Sequence, residues 1–147
     1  MGSTFSSLRI HIVFRTKERL PWIKPEWRST LHEYLDGTVR GLGAVAEAIG
    51  GVEDHVHLLI GYRPTLTISD SMRELKKASS NWVADQFEPQ FGWQDGYAVF
   101  SVSASQKERV GGYIENKEEH HRRRSFRDEL EELLMRHGIE FKPEHLV

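Results

Sequence analysis

Two histidines stand two residues apart in the run His55-Val56-His57-Leu58-Leu59-Ile60. In an extended strand side chains alternate between faces. Val56, Leu58 and Ile60 then share one face and His55 and His57 the other, ~7 Å apart along the chain. Two imidazoles at that spacing can share one metal ion, with a third ligand drawn from elsewhere. The competing reading is two polar residues on a solvated strand face. The apolar run that the histidines interrupt adds weight to the metal reading.

A second group lies later in the chain. Tyr113, Asn116, Lys117 and His120 recur at i, i+3, i+4 and i+7, the spacing that lines residues along one face of a helix. A phenol becomes a covalent nucleophile when it is deprotonated or polarised, and on a phosphodiester it would leave a phosphotyrosine link. A divalent metal would polarise the phosphate oxygens. The alternative is a tyrosine that packs its ring and shows its hydroxyl to water. Gly111 and Gly112 directly precede it. Two glycines cost a helix ~2 kcal/mol relative to alanine, so they mark a hinge, a close packing contact or a broken helix.

The elements that must position these residues follow from periodicity. Leu8 to Phe14 alternates, with Leu8, Ile10, Ile12 and Phe14 on one side, and reads as a half-buried strand. Residues ~24–41 read as a helix with Trp27, Leu31, Leu35 and Val39 spaced by four, Pro25 in the first turn and Gly41 at the end. Residues ~43–51 form a weaker strand that pairs, through a turn containing Glu53 and Asp54, with the histidine strand. A second helix spans ~68–87 on a stripe of Ile68, Met72, Leu75, Trp82 and Val83, with Ser79 filling the gap and Thr67 and Asp70 as its start signal. Pro89, Gly92 and Gly96 mark a loop, and Tyr97–Val102 a fourth strand. Ser105 and Glu108 read as a capping box that opens the tyrosine helix. Ser125 opens a last helix carrying Leu130, Leu133 and Leu134 and ending at Gly138.

The order β-α-β-β-α-β followed by helices is the ferredoxin-like split βαβ arrangement, an α+β fold. It predicts helices on one face of a mostly antiparallel sheet and a second face open for a ligand. The length fits a single domain over 1–147, with a core of about 5–125 and a helical extension of about 125–147. Without cysteine there are no disulfides or thiolate metal sites, which suits a reducing cytoplasm. No signal peptide and no apolar run near ~18 residues is present, so a soluble, membrane-free protein is expected. The net charge of −2 argues mildly against nucleic-acid binding. Charge location matters more. Asp128, Glu129, Glu131 and Glu132 crowd near the end, while Arg73, Lys76 and Lys77 lie together on the second helix and Arg122, Arg123 and Arg124 follow the tyrosine helix. Both basic groups are candidate phosphate contacts, or else a solvated face and linker. Trp22 and Trp93 fall in predicted loops and are candidate base-stacking platforms, whereas Trp27 and Trp82 lie on apolar stripes.

Taken together these residues resemble the single-tyrosine HUH transposases of the smallest bacterial insertion sequences (IS200-like), with the related REP-associated tyrosine transposases. The matching stretches are His11-Ile12-Val13-Phe14 with Thr16-Lys17-Glu18-Arg19; Asp54-His55-Val56-His57-Leu58-Leu59; Ser101-Val102-Ser103; and Tyr113-Ile114-Glu115-Asn116 with His120-His121. They run in family order over about residues 5–125. The resemblance implies that His55 and His57 bind Mg²⁺ or Mn²⁺. It implies that Tyr113 attacks a scissile phosphate of single-stranded DNA, leaving a 5′-phosphotyrosine link and a free 3′-hydroxyl, and that a later 3′-hydroxyl attack rejoins ends. It also implies recognition of hairpin ends and a homodimer in which the tyrosine helix of one subunit can complete the site of the other.

One position departs from the family. Where the family usually places a metal-binding glutamine, four residues after the tyrosine, this chain has Lys117. An ammonium has no lone pair for a metal. Asn116 or Glu115 then supplies the oxygen, or Lys117 contacts the scissile phosphate or the tyrosine phenolate, or the site is damaged. The last case describes a weak or inactive descendant that binds hairpin DNA without cutting it. An unrelated regulatory module on the same fold is a third reading, since one fold hosts many functions.

Overall fold

The computed structural model describes residues 2–116 and 125–146. Strands β1 (Leu8–Arg15), β2 (Val45–Gly51), β3 (His55–Tyr62) and β4 (Ala98–Ser101) form one sheet in the order β2-β3-β1-β4, with every neighbouring pair antiparallel. Helices α1 (Pro25–Gly41) and α2 (Ile68–Gln86) connect them in the expected order, so the fold is ferredoxin-like. No helix among the described residues is long and apolar enough to cross a membrane.

The main core lies between one sheet face and α1 with α2. Alternation sends Ile12 and Phe14 of β1 and Val56, Leu58 and Ile60 of β3 into it, against Leu31, Leu35, Met72 and Leu75. Helix α2 starts where Thr67 Oγ1 accepts the Asp70 amide, at 3.3 Å. Ser79 fills its gap in the stripe: its hydroxyl donates to the Leu75 carbonyl and accepts from Trp93 Nε1, at 2.9 Å. That contact and an edge-on packing against Phe14 make Trp93 a core residue. The stacking platform expected at Trp93 is therefore absent. The loop that carries it folds back and pairs with the end of β1, through Lys17 to Gly92 and Gln94 to Arg15. Trp22 is partly buried against Phe91, and Trp27 and Trp82 pack with Phe87 and Tyr34.

The second sheet face is not fully open. Helix α3 (Lys107–Glu115) lies on β2 and β3, and helix α4 (Phe126–Arg136) lies beside Val13 and Phe100. Helix α3 approaches closely because β2 has no side chain at Gly50, where an added Cβ would run into the Ile114 carbonyl. Thus the close-packing glycine belongs to the strand. At Gly111 an added Cβ would meet only ordinary contacts, and at Gly112 open space. A bulge between Ala46 and Ala48 shifts the phase of β2, so Ala46 and Ile49 face the main core while Ala48 packs with Leu59 and Ile114.

The helix ends differ in how well they follow their signals. The Ser105–Glu108 capping box does not form. A 3₁₀ turn, Ala104–Gln106, leads into α3, and Ser105 shares a hydroxyl contact with Ser103. Ser125 does cap α4, accepting the Asp128 amide. At the other end Gly138 adopts φ 67°. The amides of Gly138 and Ile139 then reach back to the Met135 and Leu134 carbonyls, the paired bonds of a glycine-terminated helix.

Candidate active site

The site is built on the face of β1 and β3 turned away from α1 and α2. His55 and His57 project there together, as the alternation requires, and both are buried. Burial comes from α4. Its stripe of Phe126, Glu129 and Leu133 meets the sheet at helical spacing, and Glu129 is the acid in that stripe. Glu129 Oε1 stands 2.7 Å from His57 Nε2 and 3.7 Å from His55 Nε2. One donor atom from each of these three residues lies within 4.8 Å of the others.

That spacing suits a shared cation. Neighbouring ligands on bonds of ~2.1 Å in octahedral geometry sit ~3 Å apart. The donor set of two imidazoles and one carboxylate is also a recognised set for divalent transition metals. The far side of each histidine is held as well. His55 Nδ1 donates to Asp54 Oδ1 at 2.7 Å, because a carboxylate can only accept. This leaves Nε2 directed at the centre. His57 Nδ1 meets His11 Nε2 at 2.7 Å. Burial depresses the pKa of His55, but the carboxylates of Asp54 and Glu129 outweigh it, and the net shift is upward.

Tyr113 stands over the same centre. Val110, Tyr113 and Ile114 form the sheet-facing side of α3, packed with Ala48 and Leu59. The half-buried phenol ring lies edge-on to His57, with centroids 6.1 Å apart, and to His11 at 6.5 Å. Tyr113, His11, Phe100, Arg109, Glu129 and Arg136 line one cavity of about 520 Å³. The arrangement can hold a divalent cation next to a phenol and offers two guanidinium groups nearby.

The expected helical face beyond the tyrosine is interrupted. Helix α3 ends at Glu115, and Asn116 leaves helical geometry at φ −100°, ψ 26°. The Asn116 amide donates to the Gly112 carbonyl at 2.9 Å and the residue is exposed, so it is not brought to the histidines. Lys117, His120, His121, Arg122, Arg123 and Arg124 lie outside the described residues. The basic residues of α2 sit on the opposite side of the sheet. Arg73 pairs with Asp70 on the surface and Lys77 is exposed. Lys76 is used structurally: its ammonium donates to the Gln94 and Gly96 carbonyls at 2.7 and 2.8 Å, and burial lowers its pKa.

Three contributors escaped the sequence reading. Glu129 reads in sequence as one of an acidic cluster, although its spacing from Phe126 and Leu133 puts it on the apolar stripe of α4. His11 and Asp54 stood only within the matching stretches. The signal for His11 is register: it pairs with Leu59, diagonal to His57.

Fold and site together define a class, a ferredoxin-like domain whose sheet carries a His-hydrophobe-His pair beneath a helix-borne tyrosine. Within it, the chain belongs to the IS200-like transposase family, whose description matches residues 4–117. Among solved structures it is similar to a candidate transposase from Deinococcus radiodurans, with 28% identity, a TM-score of 0.65, and coverage of 79% of this chain and 95% of the other. It is also similar in fold to a REP-associated tyrosine transposase bound to a REP hairpin, with 13% identity, a TM-score of 0.61, and coverage of 82% and 74%. No curated protein matches the chain.

Proposed function

We propose that this transposase cuts and rejoins single-stranded DNA at hairpin ends, with Tyr113 as nucleophile. The observation that carries the reading is the placement of the Tyr113 ring beside His57 and His11 in the cavity that also holds Glu129. In the cutting step the Tyr113 oxygen, having lost its proton, bonds to the scissile phosphorus. The bond from phosphorus to the 3′ oxygen breaks, and that oxygen takes up a proton as a 3′-hydroxyl. The 5′-phosphotyrosine link conserves one phosphodiester bond. A 3′-hydroxyl attacking it reverses the step and joins the ends.

His55, His57 and Glu129 would hold the divalent ion, with Glu129 in the role for which the sequence offered Asn116 or Glu115. A cation there would polarise the non-bridging phosphate oxygens and stabilise the charge that builds during attack. Mn²⁺ fits these donors better than Mg²⁺, because imidazole suits first-row transition metals and Mg²⁺ favours oxygen and water. Asp54 fixes the ring of His55 so that Nε2 faces the centre. The packing of Val110 and Ile114 on the sheet holds the phenol in place. Arg109 and Arg136, lining the cavity, are suited to phosphate oxygens next to the scissile one. Lys117 and Arg122 to Arg124 remain proposed phosphate contacts. Arg73 and Lys77, remote from the centre, suit a hairpin stem rather than the cut strand. A homodimer is part of the same proposal, and light scattering at assay concentrations tests it.

The function is tested on a denaturing gel. The protein is mixed with single-stranded hairpin DNA from the flanks of its own gene, with and without Mn²⁺, beside Tyr113→Phe. A metal-dependent adduct that the variant lacks is expected. A native-gel complex without any adduct would replace this reading with a binding-only descendant.

A further inference from the structure

His11 lies on β1, buried at 3% exposure, and does not reach the three-residue centre itself. Its ring is confined by Phe100 and Tyr113, with centroids at 6.0 and 6.5 Å. Its Nε2 meets Nδ1 of His57 at 2.7 Å, a hydrogen-bond distance that requires one hydrogen between the two nitrogens. Which nitrogen carries it decides what His57 can do. A neutral imidazole has one N–H and one bare nitrogen. His57 binds a cation at Nε2 only if its hydrogen sits on Nδ1.

We propose that His11 is the positioning residue for the metal-binding form of His57: its Nε2 accepts the Nδ1–H of His57 and so leaves His57 Nε2 bare toward Glu129 and His55. The inference rests on the metal reading of that centre. His57 Nε2 and Glu129 Oε1 stand 2.7 Å apart outside hydrogen-bond geometry, the relation of two ligands to one cation rather than of donor and acceptor. The contact with His11 is then what places the hydrogen of the His57 ring. An imidazole is suited to this task because it can donate or accept at the same nitrogen. The carboxylate of Asp54, which only accepts, keeps a hydrogen on Nδ1 of His55.

The test uses the full chain with His11→Phe, which keeps a ring and removes the acceptor, and His11→Gln, which restores a side-chain oxygen near the old Nε2. Mn²⁺ affinity is read from the free-ion electron spin resonance signal at fixed pH. Loss of a hydrogen-bond partner behind a metal-binding histidine typically costs ~10–100-fold in affinity. That loss is expected for His11→Phe, with most of it recovered in His11→Gln and with both variants melting as cooperatively as the wild type. Long-range ¹H–¹⁵N spectra, with Zn²⁺ as a diamagnetic probe, should show the His57 hydrogen on Nδ1 in the loaded protein. Wild-type-like Mn²⁺ affinity in His11→Phe, equal weakness in both variants, or a loaded protein whose His57 carries its hydrogen on Nε2 would overturn the inference. A wild type that binds Mn²⁺ no better than His55→Ala would sink the metal reading as well, and so is distinguishable from failure of His11 alone.

Discussion

Glu129→Gln isolates the carboxylate that α4 brings to the histidines. The substitution keeps shape and one carbonyl oxygen but removes the charge. In the metal-free protein the contact at stake is the 2.7 Å approach to His57 Nε2, with a longer one of 3.7 Å to His55. These approaches lack hydrogen-bond geometry, so replacing the charge by an amide should change metal-free stability by no more than the ~1 kcal/mol of an ordinary neutral contact. For a chain of this size that is a melting shift of ~2–4 °C. Metal binding should suffer more, because a directly bound anionic oxygen is lost rather than a supporting partner. At least ~100-fold is expected, equivalent to ~2.8 kcal/mol. Titration calorimetry with Mn²⁺ and thermal melts with and without the metal measure both terms. The stabilisation that Mn²⁺ gives the wild type should largely disappear. Unchanged Mn²⁺ affinity in a folded Glu129→Gln protein would refute the assignment of Glu129 as the third ligand.

Other expectations come from the same geometry. The pKa of His55 is raised above its ordinary 6.5 by Asp54 and Glu129. The stability this gives the metal-free protein is fully present below pH ~6.5 and is lost as pH rises through the raised folded value. Metal-free melting temperature should therefore fall across that window, and Asp54→Asn should flatten the profile; a profile identical to the wild type would count against the Asp54 contact. Lys76→Met removes two bonds to loop carbonyls and should cost ~1.5–3 kcal/mol in urea unfolding while hairpin affinity stays near wild type. A large affinity loss with intact stability would instead make Lys76 a DNA contact. Gly50→Ala drives a methyl group into the Ile114 carbonyl. Overpacking of this kind costs ~1–3 kcal/mol, and because backbone must yield, α3 should shift and adduct formation slow. Wild-type stability and rate would mean that α3 does not seat on β2 as described.

Much of the fold was legible because it depends on short-range periodicity. The alternation of β1 and β3 places His55 and His57 on the face opposite Val56 and Leu58 whatever the rest of the chain does. The fourfold spacing from Trp27 to Val39 gives α1 in the same way, and Thr67, Ser125 and Gly138 mark real helix ends. What escaped depends on contacts between distant segments. Trp93 reads as an exposed loop residue until the loop folds back on β1 and Ser79 receives its indole N–H. Asn116 reads as part of a helical face until the helix stops one residue earlier. Glu129 joins the histidines only because α4 docks across the sheet, although an acid on a stripe of Phe126, Leu130 and Leu133 was a visible anomaly. The face expected to be open is narrowed by that docking, which leaves the cavity beside Tyr113.

The central claim is that Tyr113 becomes covalently joined to DNA at a metal centre on the histidine strand. The most direct measurement is mass spectrometry of protease digests after reaction with hairpin DNA and Mn²⁺, followed by nuclease trimming. A nucleotide attached through phosphate to the peptide containing Tyr113 is expected, absent without metal and absent in His57→Ala. A nucleotide found on another residue, or on Tyr113 equally well in His57→Ala, would contradict the claim.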